Sequence, residues 1–180
     1  TVSVAELFRI LAQQNQAAAH WSGVDLRFAG SRRFVLADRA LLLTMLQNLV
    51  SNAIKYAPRG PVLVGCRRRG DRVSICVADR GRGIADDHLP RLFDEFYRVR
   101  PLGAPDTQGA GLGLSIVKRL GAVMGLNVTL RSRPGYGTAV AIDGLVAVAA
   151  PPALSAGTVD TAGLPLRDLK VLLVEDDPDV

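Results

Sequence analysis

Apolar residues recur at helical spacing in three stretches and alternate in the segments between them, so the chain reads as helices and strands packed in layers. Val4, Leu7, Phe8 and Leu11 share one helical face; Ser3 is a fitting N-cap, and Glu6 three residues on completes a capping box. This first helix is expected to end near Ala19. Val24, Leu26 and Phe28 alternate and the pattern resumes over 34–36 after a Gly30-Ser31 turn, which predicts a strand pair. Asp38 can cap a long helix reaching about Tyr56, with Leu42, Met45, Leu46, Leu49, Val50 and Ala53 on its buried face.

Pro58, Gly60 and Pro61 stop that helix. Val62, Val64 and Cys66 then alternate, Gly70-Asp71 supplies a two-residue turn, and Val73, Ile75 and Val77 alternate back as a hairpin. A short helix is predicted over 87–96, and the aperiodic residues 101–109 read as a mobile loop. A third long helix is expected over 112–124 with Gly125 as its C′ residue, followed by strands over 127–130 and 138–142 joined through Arg133-Pro134-Gly135-Tyr136-Gly137. The sum is an α/β (α+β) fold, a two-layer sandwich of a mixed, mostly antiparallel sheet against helices. Residues 1–143 form this domain. Alanine, proline, glycine and threonine dominate 144–168, as in a linker, and 169–180 opens a second domain with a buried-strand pattern ending in Glu175-Asp176-Asp177-Pro178.

Composition narrows the picture only slightly. With 180 residues the chain can hold one well-cored domain plus a tail. The formal net charge is +5, but its arginines are scattered and no aromatic interleaving accompanies them, so no nucleic-acid partner is expected. Cys66 and Cys76 sit in alternating apolar stretches and read as small buried hydrophobes. The longest apolar run, 145–150, falls far short of the roughly 20 residues that span a bilayer. A soluble, cytoplasmic piece is expected, its parent able to be anchored in the inner membrane.

Four polar and glycine motifs carry the chemistry: Asn48-Leu49-Val50-Ser51-Asn52-Ala53-Ile54-Lys55-Tyr56, Asp79-Arg80-Gly81-Arg82-Gly83-Ile84, Leu92-Phe93-Asp94-Glu95-Phe96-Tyr97-Arg98, and Gly109-Ala110-Gly111-Leu112-Gly113-Leu114. On a helix, Asn48, Ser51, Asn52 and Lys55 fall three or four apart and can share one face. The glycine run enters a helix, so free N–H groups and the positive end of its dipole can meet phosphate. Taken together, in this order, the motifs point to ATP and Mg²⁺.

In these motifs, and in Gly135-Tyr136-Gly137-Thr138, residues 2–143 closely resemble the catalytic ATP-binding domain of sensor histidine kinases, within the wider group that includes gyrase, heat-shock chaperones and mismatch-repair ATPases. The resemblance implies that Asn52 ligates Mg²⁺ and that Lys55, Tyr56 and Arg98 lie near the nucleotide. Asp79 would accept a hydrogen bond from the adenine amine, Gly81, Gly83 and Ile84 would approach the base, and Thr138 would reach the adenine end. Gly109, Ala110, Gly111, Leu112, Gly113 and Leu114 would wrap the phosphates, with Gly109 and Gly111 also able to serve as a loop hinge. Phe93 and Phe96 read as core residues anchoring that loop, and the resemblance also counts Phe96 among the residues near the nucleotide.

Hydrolytic relatives carry a glutamate where Asn48 stands, and an amide cannot act as a general base. The resemblance therefore implies transfer of the γ-phosphate to a histidine, with Asn48, Asn52 and Lys55 as the catalytic residues. An ATP-hydrolysing conformational ATPase of the same fold, or a degenerate nucleotide-binding module, are the rival readings. In the family it resembles the acceptor histidine is followed by an acidic residue, which neither His20 nor His88 is, so the resemblance implies an acceptor on an upstream helical dimerisation domain. The tail 169–180 resembles the opening of a response-regulator receiver. The parent is thus expected to be a hybrid kinase and a homodimer, with this piece able to stand as a monomer.

Overall fold

The computed structural model describes residues 1–57, 60–99 and 110–151. The expected loop over 101–109, Gly109 included, and the receiver-like segment from residue 169 lie outside the described residues. The chain runs β1 (Val2–Ser3), α1 (Val4–Trp21), β2 (Asp25–Phe28), β3 (Phe34–Leu36), α2 (Arg39–Tyr56), β4 (Pro61–Arg69), β5 (Arg72–Asp79), a 3-10 helix (Asp86–Arg91), α3 (Gly113–Val123), β6 (Asn127–Arg133) and β7 (Gly137–Val148).

The helix starts follow from their caps. Ser3 Oγ accepts the Glu6 N–H at 3.3 Å and Asp38 Oδ1 accepts that of Leu41 at 2.9 Å, each meeting a donor that the first turn leaves over. The Glu6 carboxylate turns to Arg39 at 2.6 Å, tying the first turns of α1 and α2 together. At its far end α3 stops in a Schellman motif: Gly125 N–H bonds Ala122 C=O, Leu126 N–H bonds Gly121 C=O, and Gly125 takes φ +64°.

The seven strands form one sheet in the order β1-β3-β7-β5-β4-β2, with β6 paired to β7 beside this path. Only β2 and β4 run parallel. One face of the sheet is covered by the helices. Leu7 and Leu11 of α1 and Leu42, Met45 and Leu46 of α2 are fully buried against Val62, Val64, Ile75, Ile142 and Leu145. Each such side chain contributes about 1.5–3 kcal/mol by leaving water. Asn15 and Gln47 exchange two amide hydrogen bonds, at 2.8 and 3.0 Å, which satisfies the polar pair between α1 and α2.

Three expectations are corrected. The segments at 25–28 and 34–36 do not pair with each other: β2 lies beside β4 at one end of the sheet, and β3 lies beside β7 near the other. Alternation fixes which face a strand buries, not its neighbour. The helix expected over 87–96 is a 3-10 helix ending at Arg91, because Pro90 has no N–H for an α-helical bond and its ring crowds the preceding turn. Finally, the strand expected to stop at 142 continues to Val148. Leu145 is fully buried, so residues 144–148, expected as linker, are part of the sheet.

Candidate functional site

A cleft of about 120 Å³ opens between α2, the ends of β5 and β7, and the first turn of α3. Its apolar floor is Leu49 and Ala53 from α2 with Val77, Leu130 and Val140 from the sheet. A flat, uncharged ring fits such a floor, with the polar groups around it fixing orientation.

At one side stands Asp79, the last residue of β5. Its Oδ1 accepts the N–H of Gly81 at 2.8 Å and that of Thr138 at 3.2 Å. Burial pushes the Asp79 carboxyl above its usual range, while these two N–H groups pull it partly back. Gly83 takes φ +68°, and a Cβ there would meet Arg133 O at 1.9 Å. A Cβ on Gly81 would meet Tyr56 O at 2.4 Å. These glycines therefore let the turn pack on the protein's own backbone, a nearer demand than the approach to a base that the sequence suggested.

Ser132 knits the same corner. Its hydroxyl accepts the Ile84 N–H at 2.9 Å, contacts Gly137 O at 3.0 Å and lies 2.8 Å from Thr138 Oγ1. One hydroxyl has one proton; with that proton on Gly137 O, Thr138 donates to Ser132 and offers lone pairs elsewhere.

The opposite side is built where α3 meets α2. Leu112, the N-cap of α3, provides no side-chain cap, so the N–H groups of the first turn keep their donor capacity toward the cleft. A Cβ on Gly113 would fall 3.1 Å from Asn52 Nδ2 and 3.2 Å from Asn48 Oδ1, which places both amides at that helix tip. Asn48 Nδ2 donates to Thr44 O at 2.8 Å, leaving its oxygen on the α3 side. Gly111, at φ +73°, stands against the backbone of Phe96 and the side chain of Arg98.

Of the residues named from sequence, Asn52, Tyr56, Asp79, Gly83, Ile84, Arg98, Gly111, Gly113, Leu114 and Thr138 line this one cleft. Asn48, Lys55, Gly81, Phe96, Ala110 and Leu112 each immediately precede a lining residue in the chain. The Lys55 ammonium lies 5.2 Å from the Tyr56 ring centre. Phe96 departs from its expected place: it is 68% exposed with φ 63°, on a turn and not in the core.

Sequence reading missed Arg82, Leu92, Tyr97 and Val99 as lining residues, and the apolar floor. The floor carried a signal, since Val77 and Val140 stand two residues inward from Asp79 and Thr138 on the same strand faces. Arg82 donates to Val99 O at 3.2 Å and sits 5.4 Å from the Tyr56 ring centre, spanning two walls. Among the described residues no group of three or more His, Cys, Asp or Glu could hold a metal, and no helix is long and apolar enough to cross a membrane.

Residues 37–145 match the family model described as "Histidine kinase-, DNA gyrase B-, and HSP90-like ATPase". The sensor-like histidine kinase SenX3 of Mycobacterium tuberculosis is 42% identical over 127 residues, which are 69% of this chain and 31% of that protein. The sensor histidine kinase CusS of Escherichia coli is 43% identical over 106 residues, 58% of this chain and 22% of that protein. Full-length ShkA, solved in complex with AMPPNP, superposes with a TM-score of 0.72 at 33% identity, covering 83% of this chain and 31% of its own. The chain thus spans about a third or less of the length of these relatives.

Proposed function

This chain belongs to the histidine kinase-, DNA gyrase B- and HSP90-like ATPase family, and on that premise we propose that it is the catalytic domain of a sensor histidine kinase, presenting the γ-phosphate of ATP to a histidine on a separate helical domain. One observation carries the reading: Asn52, Asp79 and the glycines at the α3 tip surround a single cleft. The base would lie on Val77, Leu130 and Val140 with Asp79 accepting its exocyclic amine. The phosphates would extend toward Gly111, Gly113 and the α3 N–H groups, where the helix dipole favours negative charge.

Mg²⁺ fits this donor set. A hard ion that keeps several waters needs few protein ligands, and the Asn52 amide oxygen with phosphate oxygens is sufficient. When bound, the ion would neutralise phosphate charge. Asn52 would orient the triphosphate, Lys55 and Arg98 would add positive charge, and Asn48 would fix the Asn52 side of α2. Catalysis of this kind is mostly positioning and charge stabilisation.

Asn48 also favours transfer over hydrolysis, because an amide cannot take a proton from water. The rival conformational ATPase requires steady phosphate release by the chain itself. A longer chain carrying the upstream helices should incorporate label from γ-labelled ATP into an acid-labile phosphohistidine, and a receiver domain should then accept it. Tight ATP binding without histidine labelling in that longer chain overturns the kinase reading.

A further inference from the structure

The segment between the 3-10 helix and residue 99 forms one wall of the cleft without belonging to the sheet or to an α-helix, so something else must fix its shape. Tyr97 is the residue through which this happens. Tyr97 lines the cleft, its hydroxyl lies 2.7 Å from His88 Nδ1, and the Arg91 guanidinium sits 4.3 Å from its ring centre. Arg91 is itself steadied by Asp94 at 3.7 Å, and the Tyr97 N–H reaches back to Asp94 O at 3.4 Å. Phe96, at φ 63°, makes the reversal that returns Tyr97 to the 3-10 helix. A left-handed backbone at a bulky residue is strained and persists only where neighbours over-determine it.

We propose that His88 is a positioning residue for nucleotide binding, holding the Tyr97 hydroxyl in the cleft wall at the phosphate end. The inference rests on the nucleotide reading above. The end is assigned by Gly111: a Cβ there would meet the backbone of Phe96 at 3.0 Å and Arg98 Cγ at 3.1 Å, so the Tyr97 segment abuts the glycine run that leads into α3. His88 touches no part of the cleft, and its imidazole acts only through Tyr97. With Nδ1 unprotonated it takes the one phenolic proton and fixes the C–O–H torsion, leaving the oxygen lone pairs for a water beside the phosphates. Tyr97 rotating freely would lose that preorganisation.

The test is a calorimetric titration of the whole chain with ATP and, separately, with adenosine, both in Mg²⁺. His88→Ala and Tyr97→Phe should each weaken ATP about three- to tenfold, the range set by one hydrogen bond, and the double variant should weaken it no further. Adenosine binding should change by less than twofold. His88→Asn, whose amide can occupy the place of Nδ1, should recover most of the ATP affinity, a result that lost packing would not give. ATP binding by His88→Ala equal to that of the parent overturns the proposal, as does an equal loss for adenosine. Should His88→Ala fail to fold, Tyr97→Phe carries the test on the same criteria. A parent chain that binds neither ligand overturns the nucleotide reading itself, which separates the two failures.

Discussion

Gly113 and Asn52 meet so closely that a side-chain carbon on the glycine would stand 3.1 Å from the asparagine Nδ2. The first residue of α3 and the polar face of α2 are thus one surface, and the missing side chain is what brings them together. Gly113→Ala should leave folding intact, because alanine favours the helix and an amide can shift by a few tenths of an ångström. It should nonetheless displace Asn52 and reduce Mg-ATP affinity at least tenfold. An unchanged melting temperature with lost binding is the expected pair of results.

Asp79 gives a pH dependence with a definite sign. Half-burial holds its carboxyl above the usual carboxylate range, and on the proposed nucleotide reading only the ionised form would be a full acceptor for the adenine amine. ATP affinity should therefore fall as pH drops through a range above that of an ordinary aspartate. A raised folded-state pKa also means that the native state binds the proton more readily than the unfolded chain. Its contribution to stability is fully present below the unfolded pKa and is lost as pH rises through the folded one. Asp79→Asn should flatten this component of both profiles, weaken ATP near neutrality and leave the neutral melting temperature unchanged or higher. Titrations and melts across pH 4–8 test all three.

Ser132→Ala removes the acceptor for the Ile84 N–H and the partner of Thr138 Oγ1. Loss of these bonds should cost about 1–3 kcal/mol. Denaturant unfolding should read that loss, and ATP affinity should fall with it because the Asp79 turn is released from β6.

Leu145 tests the length of the last strand. It is fully buried in β7, so Leu145→Ala should cost about 2–5 kcal/mol in chemical denaturation. Ending the chain at residue 143 should prevent stable folding, since it also removes the partner of β3. A linker residue at the same position would give neither effect.

Much of the site was legible because polar residues interrupt strong apolar periodicity: the asparagines of α2 and Asp79 stand out against Leu49, Val50 and Val77. Caps at Ser3 and Asp38, and the reversal at Gly125, likewise act locally and are written locally. The position of β2 beside β4 was not readable, since a four-residue alternation is compatible with either sheet edge. Tyr97 was hidden for another reason. Its place depends on the left-handed Phe96 and on contacts from His88 and Arg91, neither of which produces a period in the sequence.

The long β7 strand has β5 along one side, while β6 and then β3 share the other. A nascent chain that has emerged only as far as Arg133 already contains α1, α2 and α3, yet it lacks Thr138, Val140 and the seam that joins β1 and β3 to the rest. Pairings between residues so distant in the chain form late. Assembly of the pocket is thereby deferred until β7 has emerged from the ribosome, and the earlier segments wait with apolar faces uncovered.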